Sequence, residues 1–506
     1  MSPTAIDLPR GEVAIHPLKR GPSARIEPAS TQPPQRPPVF PLLSSLARAL
    51  FPPPVLAVQT PVTAILVGAG LRGTRYASYA QHYPDLVIVG VAEPNPHRRA
   101  AFADEYQLRD DHVFKDWKEY HGQILQCPRL ADAVIVATLD NLHVEPTVNL
   151  SRLGYHVLLE KPMATRVEDC IELAEEVEKT GVVLGIGHVL RYSYFNLVVK
   201  KIVEGGYLGD IINIQHIEPF RLHSFVHSYV RGHWRNEKIS TFALLAKSCH
   251  DVDLMHYFVG RKFARVSSFG SVRHFRQSQK PAAAKDINRC LDCPLQDTCD
   301  FSAKRLYMNG NTGWPVNTVS STPEDMESVA HALRTGPYGK CVWDTDNDAV
   351  DHQVVNMEFE SNGEDQGAPT GTLTMVAMST GTNRRKTRIF GSRLELEADE
   401  EAEEIRLTDL QTLQTMVIRP HEDFDLPEID LMSGHGGGDY NLVRHFVEGV
   451  RAHKAGLSTE GYVPSVRETL ASHIFVFAAE HSRKTGVVQS VEEYLREHSR
   501  EKSLEF

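Results

Sequence analysis

Residues 62–73 read VTAILVGAGLRG. A short, largely apolar run suited to a buried strand ends in Gly68-x-Gly70-x-x-Gly73, and a helix-like segment follows directly. Glycine at these three steps lets the chain turn sharply, lets a pyrophosphate approach bare backbone, and lets a helix pack closely on the sheet. Glu93 lies about 20 residues farther on, where an acid can accept hydrogen bonds from an adenosine ribose. These four residues are therefore predicted to bind a dinucleotide.

Short apolar runs alternate with amphipathic segments up to about residue 190. The strand-like runs are 62–67, 86–92, 132–137, 156–160 and 182–187, and the helix-like segments include 72–83, 143–153 and 167–180. Because these strands are apolar throughout, both faces of their sheet are expected to be covered by helices, which is typical of parallel sheets. Residues 60–189 are therefore predicted to form an α/β Rossmann domain with a parallel sheet.

The spacing of apolar residues changes beyond residue 190. Val355, Met357 and Phe359 alternate with polar residues, as do the leucine and methionine positions of 373–375 and 394–396. A period of two indicates strands with one covered face and one open face. Helices are predicted at 242–258, 440–451 and 465–483, with the last two closing the chain. Residues 190–500 are therefore predicted to form an α+β domain with an open, mostly antiparallel sheet, which binds substrate and carries subunit contacts.

Composition excludes several classes of partner. The net charge of −11 gives no general attraction to nucleic acid or anionic lipid. No segment approaches the about 20 apolar residues that span a bilayer, so no membrane association is predicted. Seven cysteines without a secretory signal indicate a reducing compartment, and a cytoplasmic location is expected. The proline-rich residues 1–59 are predicted to be a disordered leader, with an organelle presequence as the alternative.

Two groups of polar residues suit proton and hydride chemistry. Glu160-Lys161-Pro162 follows the fourth strand-like run, at the sheet edge where ligands bind, so Lys161 can polarise a substrate hydroxyl. His250 and Asp253 share one face of the predicted helix 242–258, and a histidine oriented by an acid suits removal of a hydroxyl proton. A surface lysine at a strand end and a structural histidine are the alternatives.

Together these motifs resemble the Gfo/Idh/MocA oxidoreductases, the family of glucose–fructose oxidoreductase and inositol dehydrogenase. The landmarks that carry the resemblance, in order, are GAGLRG (68–73), AEPN (92–95), ATLDNLH (137–143), EKP (160–162), GHVLRY (187–192), HDVD (250–253) and GGGD (436–439). The resemblance covers the chain from about residue 62 to near its C-terminus. Only the proline-rich leader lies outside it.

The resemblance implies a role for each matching residue. Gly68, Gly70 and Gly73 would carry the pyrophosphate and Glu93 the ribose. The residues that would line the cofactor farther along are Thr138, Asp140, His143, Glu160 and Lys161. Lys161 would also orient the substrate, and His250 would be the catalytic acid and base. The substrate-binding candidates are Asp253, which would contact substrate hydroxyls, and Arg191 and Tyr192, for which a packing role is the alternative.

The activity that the resemblance implies is NAD(P)-dependent hydride transfer to or from a sugar, inositol or related polyhydroxyl substrate. NAD is mildly preferred because Glu93 would repel the ribose phosphate of NADP, although His97, Arg98 and Arg99 lie nearby. A homodimer or homotetramer formed through the open sheet is expected. An NAD-dependent glycosidase and a non-catalytic dinucleotide-binding regulator are the alternatives. Many family members carry an acid four residues before the histidine, whereas this chain has Ala246, followed by Lys247.

Three thiols stand apart from these motifs. Cys290-x-x-Cys293 is a common half-site for zinc, Cys299 follows within six residues, and Cys341 is the candidate for a fourth ligand. A structural zinc site and reduced, unliganded thiols are the two hypotheses. The segment 230–235, VRGHWR, precedes the predicted histidine helix and is interpreted either as a plain surface loop or as a cap over a polyol substrate.

Overall fold

The computed structural model describes residues 60–118, 129–361, 363, 367–381 and 384–499, so the predicted leader 1–59 lies outside the described residues. Two sheets form the framework. The first contains β1 (Val62–Val67), β2 (Leu86–Ala92), β3 (Val113–Phe114), β4 (Ala133–Val136), β5 (His156–Leu159) and β6 (Leu184–Ile186). The second contains β7 (Ile211–Arg221), β8 (Phe263–Ser271), β9 (His352–Phe359), β10 (Thr370–Ser379), β11 (Lys386–Gly391), β12 (Leu394–Asp399), β13 (Glu404–Asp409), β14 (Thr415–Ile418) and β15 (Gln489–Ser490).

Helices cover and connect these sheets. Those of the first half are α1 (Leu71–Ala77), α2 (Pro96–Glu105), α3 (Val144–Arg152), α4 (Val167–Thr180) and α5 (Tyr194–Glu204). They are followed by α6 (Leu222–Phe225), α7 (Ala243–Val259), α8 (Ala303–Tyr307), α9 (Val316–Val319) and α10 (Met326–Thr335). The last are α11 (Pro420–Asp423), α12 (Glu428–Ser433), α13 (Gly438–Lys454), α14 (Val466–Thr485) and α15 (Val491–His498).

The first sheet is parallel throughout, with strand order β3-β2-β1-β4-β5-β6. Every residue of β4 and β5 is buried, as the continuous apolar runs predicted. The strand order reverses direction between β1 and β4, and ligands of such sheets bind in the crevice at the carboxyl ends of these strands. The prediction of a Rossmann domain is confirmed. β3 was not predicted, because two residues are too few to show a pattern.

The second sheet has nine strands in the order β14-β13-β12-β11-β7-β10-β9-β8-β15. All neighbours are antiparallel except β7 and β10, which are parallel. Val355, Met357 and Phe359 point into the core beneath α7 and α14, as the alternating pattern predicted. The opposite face stays open, with Phe269 64% exposed and Ile217 41% exposed. The predicted mostly antiparallel sheet with one open face is confirmed.

Helix α13 departs from the predicted division of the chain. Its residues Leu442, Val443 and Phe446 lie in the same buried cluster as Leu66 and Ile135 of the first sheet. The α13 helix therefore covers the Rossmann sheet although it comes late in the sequence. The boundaries 60–189 and 190–500 remain predictions, and α13 is an exception to them. The expectation that two helices close the chain is wrong, because β15 and α15 follow α14.

Residues 272–351, between β8 and β9, form a compact extension that we call the cysteine lobe. All of its residues are described, and it holds three short helices (α8, α9 and α10) and no strand. The core that belongs to the lobe alone is small and consists of buried side chains from Cys290, Ala303, Tyr307, Val316, Val329 and Leu333. Other buried lobe side chains, including Phe275, Val342 and Trp343, join a second core that is shared with β7, α7 and β10. Within the described part of the chain, no helix combines the length and apolarity needed to cross a membrane.

Candidate active site

A cleft of about 970 Å³ lies at the carboxyl ends of β1, β2, β4 and β5 and reaches the second sheet and the cysteine lobe. The lining residues from the Rossmann sheet are Gly68, Gly70, Glu93, Thr138, Asp140, Glu160 and Lys161. Those contributed from beyond residue 190 include His233, Trp234, Lys247, His250, Arg385 and His435. The glycine turn, Lys161 and His250, which are distant in the sequence, therefore face one cavity.

The glycine turn is shaped for close backbone approach. Gly68 has φ +96°, and a Cβ there would stand 2.5 Å from the carbonyl oxygen of Ala137. A Cβ on Gly73 would stand 2.0 Å from the carbonyl oxygen of Gly68, so this glycine seats α1 against the turn and does not line the cleft. Gly70 lines the cleft with no atom within 4 Å of its Cβ position. This open surface fits the pyrophosphate of a dinucleotide.

Glu93 is fixed at the end of β2. One of its carboxylate oxygens accepts the N–H of Ala69 at 2.7 Å, and the other accepts the N–H of Asn95 at 2.8 Å. The side chain is buried yet lines the cleft. A carboxylate held in this way presents its remaining lone pairs to a ribose hydroxyl without needing to reorient.

The loop after β4 divides into residues that face the cleft and one that does not. Thr138 and Asp140 line the cleft, and the Asp140 carboxylate accepts hydrogen bonds from Trp234 Nε1 at 2.6 Å and Ser240 Oγ at 3.3 Å. His143 is fully buried, with Nδ1 2.7 Å from the carbonyl oxygen of Pro162 and Nε2 3.3 Å from that of Thr138. The prediction that His143 contacts the cofactor is corrected, because its imidazole does not line the cleft and instead contacts backbone carbonyl oxygens of Pro162 and Thr138.

Lys161 connects the Rossmann sheet to the histidine helix. Its Nζ donates a hydrogen bond to the carbonyl oxygen of Ala246, one turn before His250 on α7, at 2.6 Å. The peptide between Lys161 and Pro162 is cis. An ammonium group has three donors, so two remain for a ligand in the cleft.

Glu160 belongs to an ion-pair chain at the cleft wall. Its Oε1 accepts from Arg72 Nε at 2.8 Å, and Arg72 Nη2 in turn lies 2.7 Å from Asp439 of the GGGD motif. Arg72 sits on α1, directly after the glycine turn. Arg72 therefore connects α1 to the end of β5 through the predicted cofactor residue Glu160, and to α13 through Asp439.

His250 lies in the cleft wall as a neutral base. Burial, together with the charges of Lys161 and His188, holds the pKa of His250 well below its ordinary value. Its Nδ1 is buried without a hydrogen-bond partner among the described residues. A neutral imidazole that borders a ligand cavity can accept a proton from a substrate hydroxyl.

Asp253 and Arg191 are paired with each other in the core. Arg191 contacts the Asp253 carboxylate through Nε at 2.5 Å and Nη2 at 2.8 Å, and a third nitrogen reaches Glu468 at 2.5 Å. Although burial opposes ionisation, Arg191 and His188 hold the pKa of Asp253 well below its usual range. Neither residue borders the cleft, and neither does the buried Tyr192. The prediction that these three residues contact substrate is corrected, since their partners are protein side chains in the core.

A buried charge cluster beside His250 was not predicted. Lys247 Nζ lies 3.0 Å from Glu218 Oε1, and Arg385 Nε lies 2.7 Å from Glu218 Oε2 and 3.0 Å from Asp251. Burial lowers the pKa of Lys247 despite the nearby Glu218. Lys247 and Arg385 both line the cleft. The signal in the sequence was Glu218, an acid at an inward-facing position of β7.

Aromatic residues close the cleft on its far side. Trp234 and His233 of the segment 230–235 line it, so the interpretation as a plain surface loop does not describe these two side chains. Trp314, Thr318 and Tyr338 of the cysteine lobe line it as well. Sequence reasoning missed these three because nothing in the local pattern indicated that the lobe reaches the cleft.

The cysteines of the predicted zinc motif lie outside this cleft. Cys290, Cys293, Cys299 and Cys341 line a separate small cavity in the cysteine lobe, so the structure brings the predicted fourth thiol to the other three. Within the described residues, no three His, Cys, Asp or Glu side chains already surround a common point as metal ligands do.

Comparisons with known proteins agree with this geometry. The profile described as "Oxidoreductase family, NAD-binding Rossmann fold" matches residues 62–188, and "Oxidoreductase family, C-terminal alpha/beta domain" matches residues 200–460. The 2,7-anhydro-N-acetylneuraminate hydratase of Escherichia coli is 26% identical over 46% of this chain and 63% of its own length. The putative oxidoreductase YteT of Bacillus subtilis is 22% identical over 71% of this chain and 81% of its own length.

Solved structures share the fold. An inositol dehydrogenase homolog from Azotobacter vinelandii, complexed with NAD+, superimposes with a TM-score of 0.61 over 86% of this chain and 98% of its own, at 17% identity. The two profile matches together span most of the chain and meet where the parallel sheet ends. The chain belongs to the Gfo/Idh/MocA oxidoreductase family.

Proposed function

We propose that this protein transfers a hydride between a nicotinamide dinucleotide and a sugar, inositol or related polyhydroxyl substrate. The observation that carries the proposal is the contact of Lys161 with the helix of His250 inside the cleft that also contains the glycine turn. The dinucleotide, when bound, accepts the hydride from the substrate carbinol carbon. The protein's own side chains position the substrate and move its hydroxyl proton.

His250 and Lys161 divide this work. The lowered pKa keeps the His250 imidazole neutral near pH 7, so it takes the hydroxyl proton as the carbon loses hydride and the carbon–oxygen bond becomes a carbonyl. The free donors of the Lys161 ammonium stabilise negative charge that develops on the same oxygen. In the reverse direction the protonated imidazole returns the proton to the carbonyl oxygen. Arg191 and Asp253 support His250 through the packing of α7 and take no part in proton transfer.

NAD is proposed as the preferred cofactor. Glu93 lines the cleft with both carboxylate oxygens fixed by backbone N–H groups, and such a group attracts ribose hydroxyls and repels a ribose phosphate. Arg98 also lines the cleft and weakens that repulsion. Titration with NADH and NADPH, followed by nucleotide fluorescence, tests this assignment. Clearly tighter binding of NADPH would contradict it.

The activity itself is tested with a panel of sugars, inositols and sugar acids, monitored by NADH absorbance. Hydride transfer predicts NADH formation with at least one polyhydroxyl compound. The E. coli relative is named a hydratase, which favours examining one second candidate, a reaction without net oxidation. Turnover of an anhydro sugar or glycoside with no net NADH would support that candidate. Tight NADH binding with no turnover of any kind would support the regulator alternative.

The open face of the second sheet is proposed to join identical subunits into a homodimer or homotetramer. Phe269, Val354, Thr374 and Ile217 form one row across β8, β9, β10 and β7. Burying such a row against a second copy removes apolar surface from water. Light scattering of the wild type and of Phe269→Glu tests the contact. A monomeric wild type at micromolar concentration would contradict it.

A further inference from the structure

The cysteine lobe forms part of the cleft although it has little core of its own. The lobe lines the cleft through Trp314, Thr318 and Tyr338, and it also contacts the side chain of His227, which lines the same cleft. His227 Nδ1 lies 3.0 Å from Tyr307 Oη, and Nε2 lies 3.1 Å from Thr318 Oγ1. Tyr338 stacks on the same imidazole at 4.8 Å. The core that belongs to the lobe alone is small, and a metal crosslink is one way in which such a region is held in one conformation.

The chain path brings all four lobe thiols to one place. Arg289 and Lys340 form an isolated β-bridge, and the N–H of Cys341 donates to the carbonyl oxygen of Asn288 at 2.9 Å. This pairing places Cys341 beside Cys290. Turns over 290–299 then return the chain so that Cys293 and Cys299 border the same cavity.

Backbone N–H groups point at three of the sulfur atoms. The N–H of Leu295 donates to Cys293 Sγ at 3.4 Å. Burial raises the pKa of the Cys299 and Cys341 thiols, and the backbone N–H groups of Phe301 and Trp343, each two residues after its cysteine, act in the opposite direction. Hydrogen bonds of this kind stabilise thiolates more than thiols, and they commonly surround the sulfur ligands of a metal.

Arg231 supplies a positive charge at the fourth sulfur. This side chain is completely buried and borders the cavity. Its acceptors include the carbonyl oxygens of Lys340 at 2.8 Å and Phe301 at 2.7 Å, and Cys290 Sγ at 3.2 Å, and it also contacts the Tyr307 hydroxyl. None of these groups is a carboxylate, and among the residues that the structure describes Nη1 has no hydrogen-bond partner. A buried guanidinium without a counter-charge is costly, so this arrangement calls for negative charge at the thiols.

We infer that Cys290, Cys293, Cys299 and Cys341 bind one structural Zn²⁺ that fixes the cysteine lobe against the cleft. A zinc ion with four thiolates carries a net negative charge, which Arg231 and the three N–H groups compensate. The thiols do not surround a common point in this structure, so the four side chains rearrange around the ion when it binds. The free energy of zinc binding then contributes directly to the stability of the lobe. Because the lobe lines the substrate side of the cleft, loss of the ion weakens substrate binding and leaves the glycine turn intact.

Metal analysis of the full chain, purified without added zinc and dialysed against metal-free buffer, tests this inference. One equivalent of zinc per chain is expected. The variants Cys293→Ser and Cys341→Ser are expected to lose it, whereas Cys170→Ser, which alters a buried thiol outside the lobe, keeps it. Iron with sulfide and visible absorbance would overturn the assignment of zinc. Absence of metal with four freely alkylated lobe thiols would overturn the site itself.

A second measurement uses the wild-type protein and therefore does not depend on whether the cysteine variants fold. Wild-type protein treated with a strong chelator is expected to melt at a lower temperature and to regain its original melting temperature when zinc is restored. NADH binding is expected to persist, while KM for the substrate rises several-fold. Zinc that leaves without changing the melting temperature would be adventitious and would overturn the inference. Metal content needs no turnover assay, so its outcome is independent of the proposed reaction.

Discussion

Replacing His250 by glutamine removes the proposed proton acceptor while retaining a polar side chain of similar length. The wild-type imidazole is neutral near pH 7 because burial and the neighbouring cations lower its pKa. Of the two lysines that line the cleft, Lys161 donates to the carbonyl oxygen of Ala246 and Lys247 is paired with Glu218 at 3.0 Å. We therefore expect the effect of losing a general base. This corresponds to a drop in kcat/KM of about 10³-fold, or about 4 kcal/mol.

The assay is NADH formation with whichever panel compound is turned over, measured from pH 5 to 9. For the wild type, kcat/KM falls on the acid side only as the pH drops below the ordinary histidine range, since protonation then blocks the base. This acid limb is expected to vanish in His250→Gln, while the Kd for NADH stays within about twofold. His256→Gln, on the same helix but outside the cleft, is the matched control and should retain activity. A His250→Gln variant within about threefold of wild-type kcat/KM would show that His250 is not the proton acceptor.

Three further predictions follow from the same geometry. Lys161→Met is expected to lower kcat/KM by about 100-fold or more. Lys304→Met, on the outside of the cysteine lobe, is the control and is expected to leave kcat/KM unchanged. Equal values of kcat/KM for the two variants would contradict the role of Lys161. Arg191→Met leaves the Asp253 carboxylate buried without its partner and is expected to reduce the free energy of unfolding by about 3–5 kcal/mol, as measured by urea titration. The control is Arg152→Met, which breaks an exposed pair and is expected to cost about 1 kcal/mol or less. Burial holds the pKa of His156, His227, His256 and His445 at about 4 and that of His473 at about 3, so between pH 6.5 and 4 the unfolded chain binds protons that the folded chain does not. The free energy of unfolding should therefore decrease as the pH is lowered from 6.5 to 4, by up to about 1.4 kcal/mol per pH unit for each histidine. Equal stability at pH 6.5 and 4.5 would contradict this prediction.

The sequence predicted those features whose cause is local. The bounds of β1, β2 and α4 match the predicted segments, because continuous apolar runs and a helical period are written directly into those residues. The glycine turn is equally local, since each glycine answers a steric demand of the turn itself. For the same reason the strand alternation around Val355 and Phe359 indicated which face of the second sheet is covered.

Features that depend on distant partners were not accessible in this way. Arg191 and Asp253 were assigned to substrate because nothing local shows that they pair with each other across 62 positions of the sequence. Similarly, α13 looks like an ordinary amphipathic helix, and only the folded chain shows which sheet its apolar face covers. His143 was misassigned because a short motif does not specify which side of the loop an imidazole occupies.

The most direct test of the central claim is an experimental structure of the complex with NAD+. We expect the pyrophosphate at Gly68 and Gly70, the adenosine ribose at Glu93, and the nicotinamide ring beside both Lys161 Nζ and the His250 imidazole. A nicotinamide ring bound away from these two side chains, or an imidazole turned out of the cleft, would contradict it.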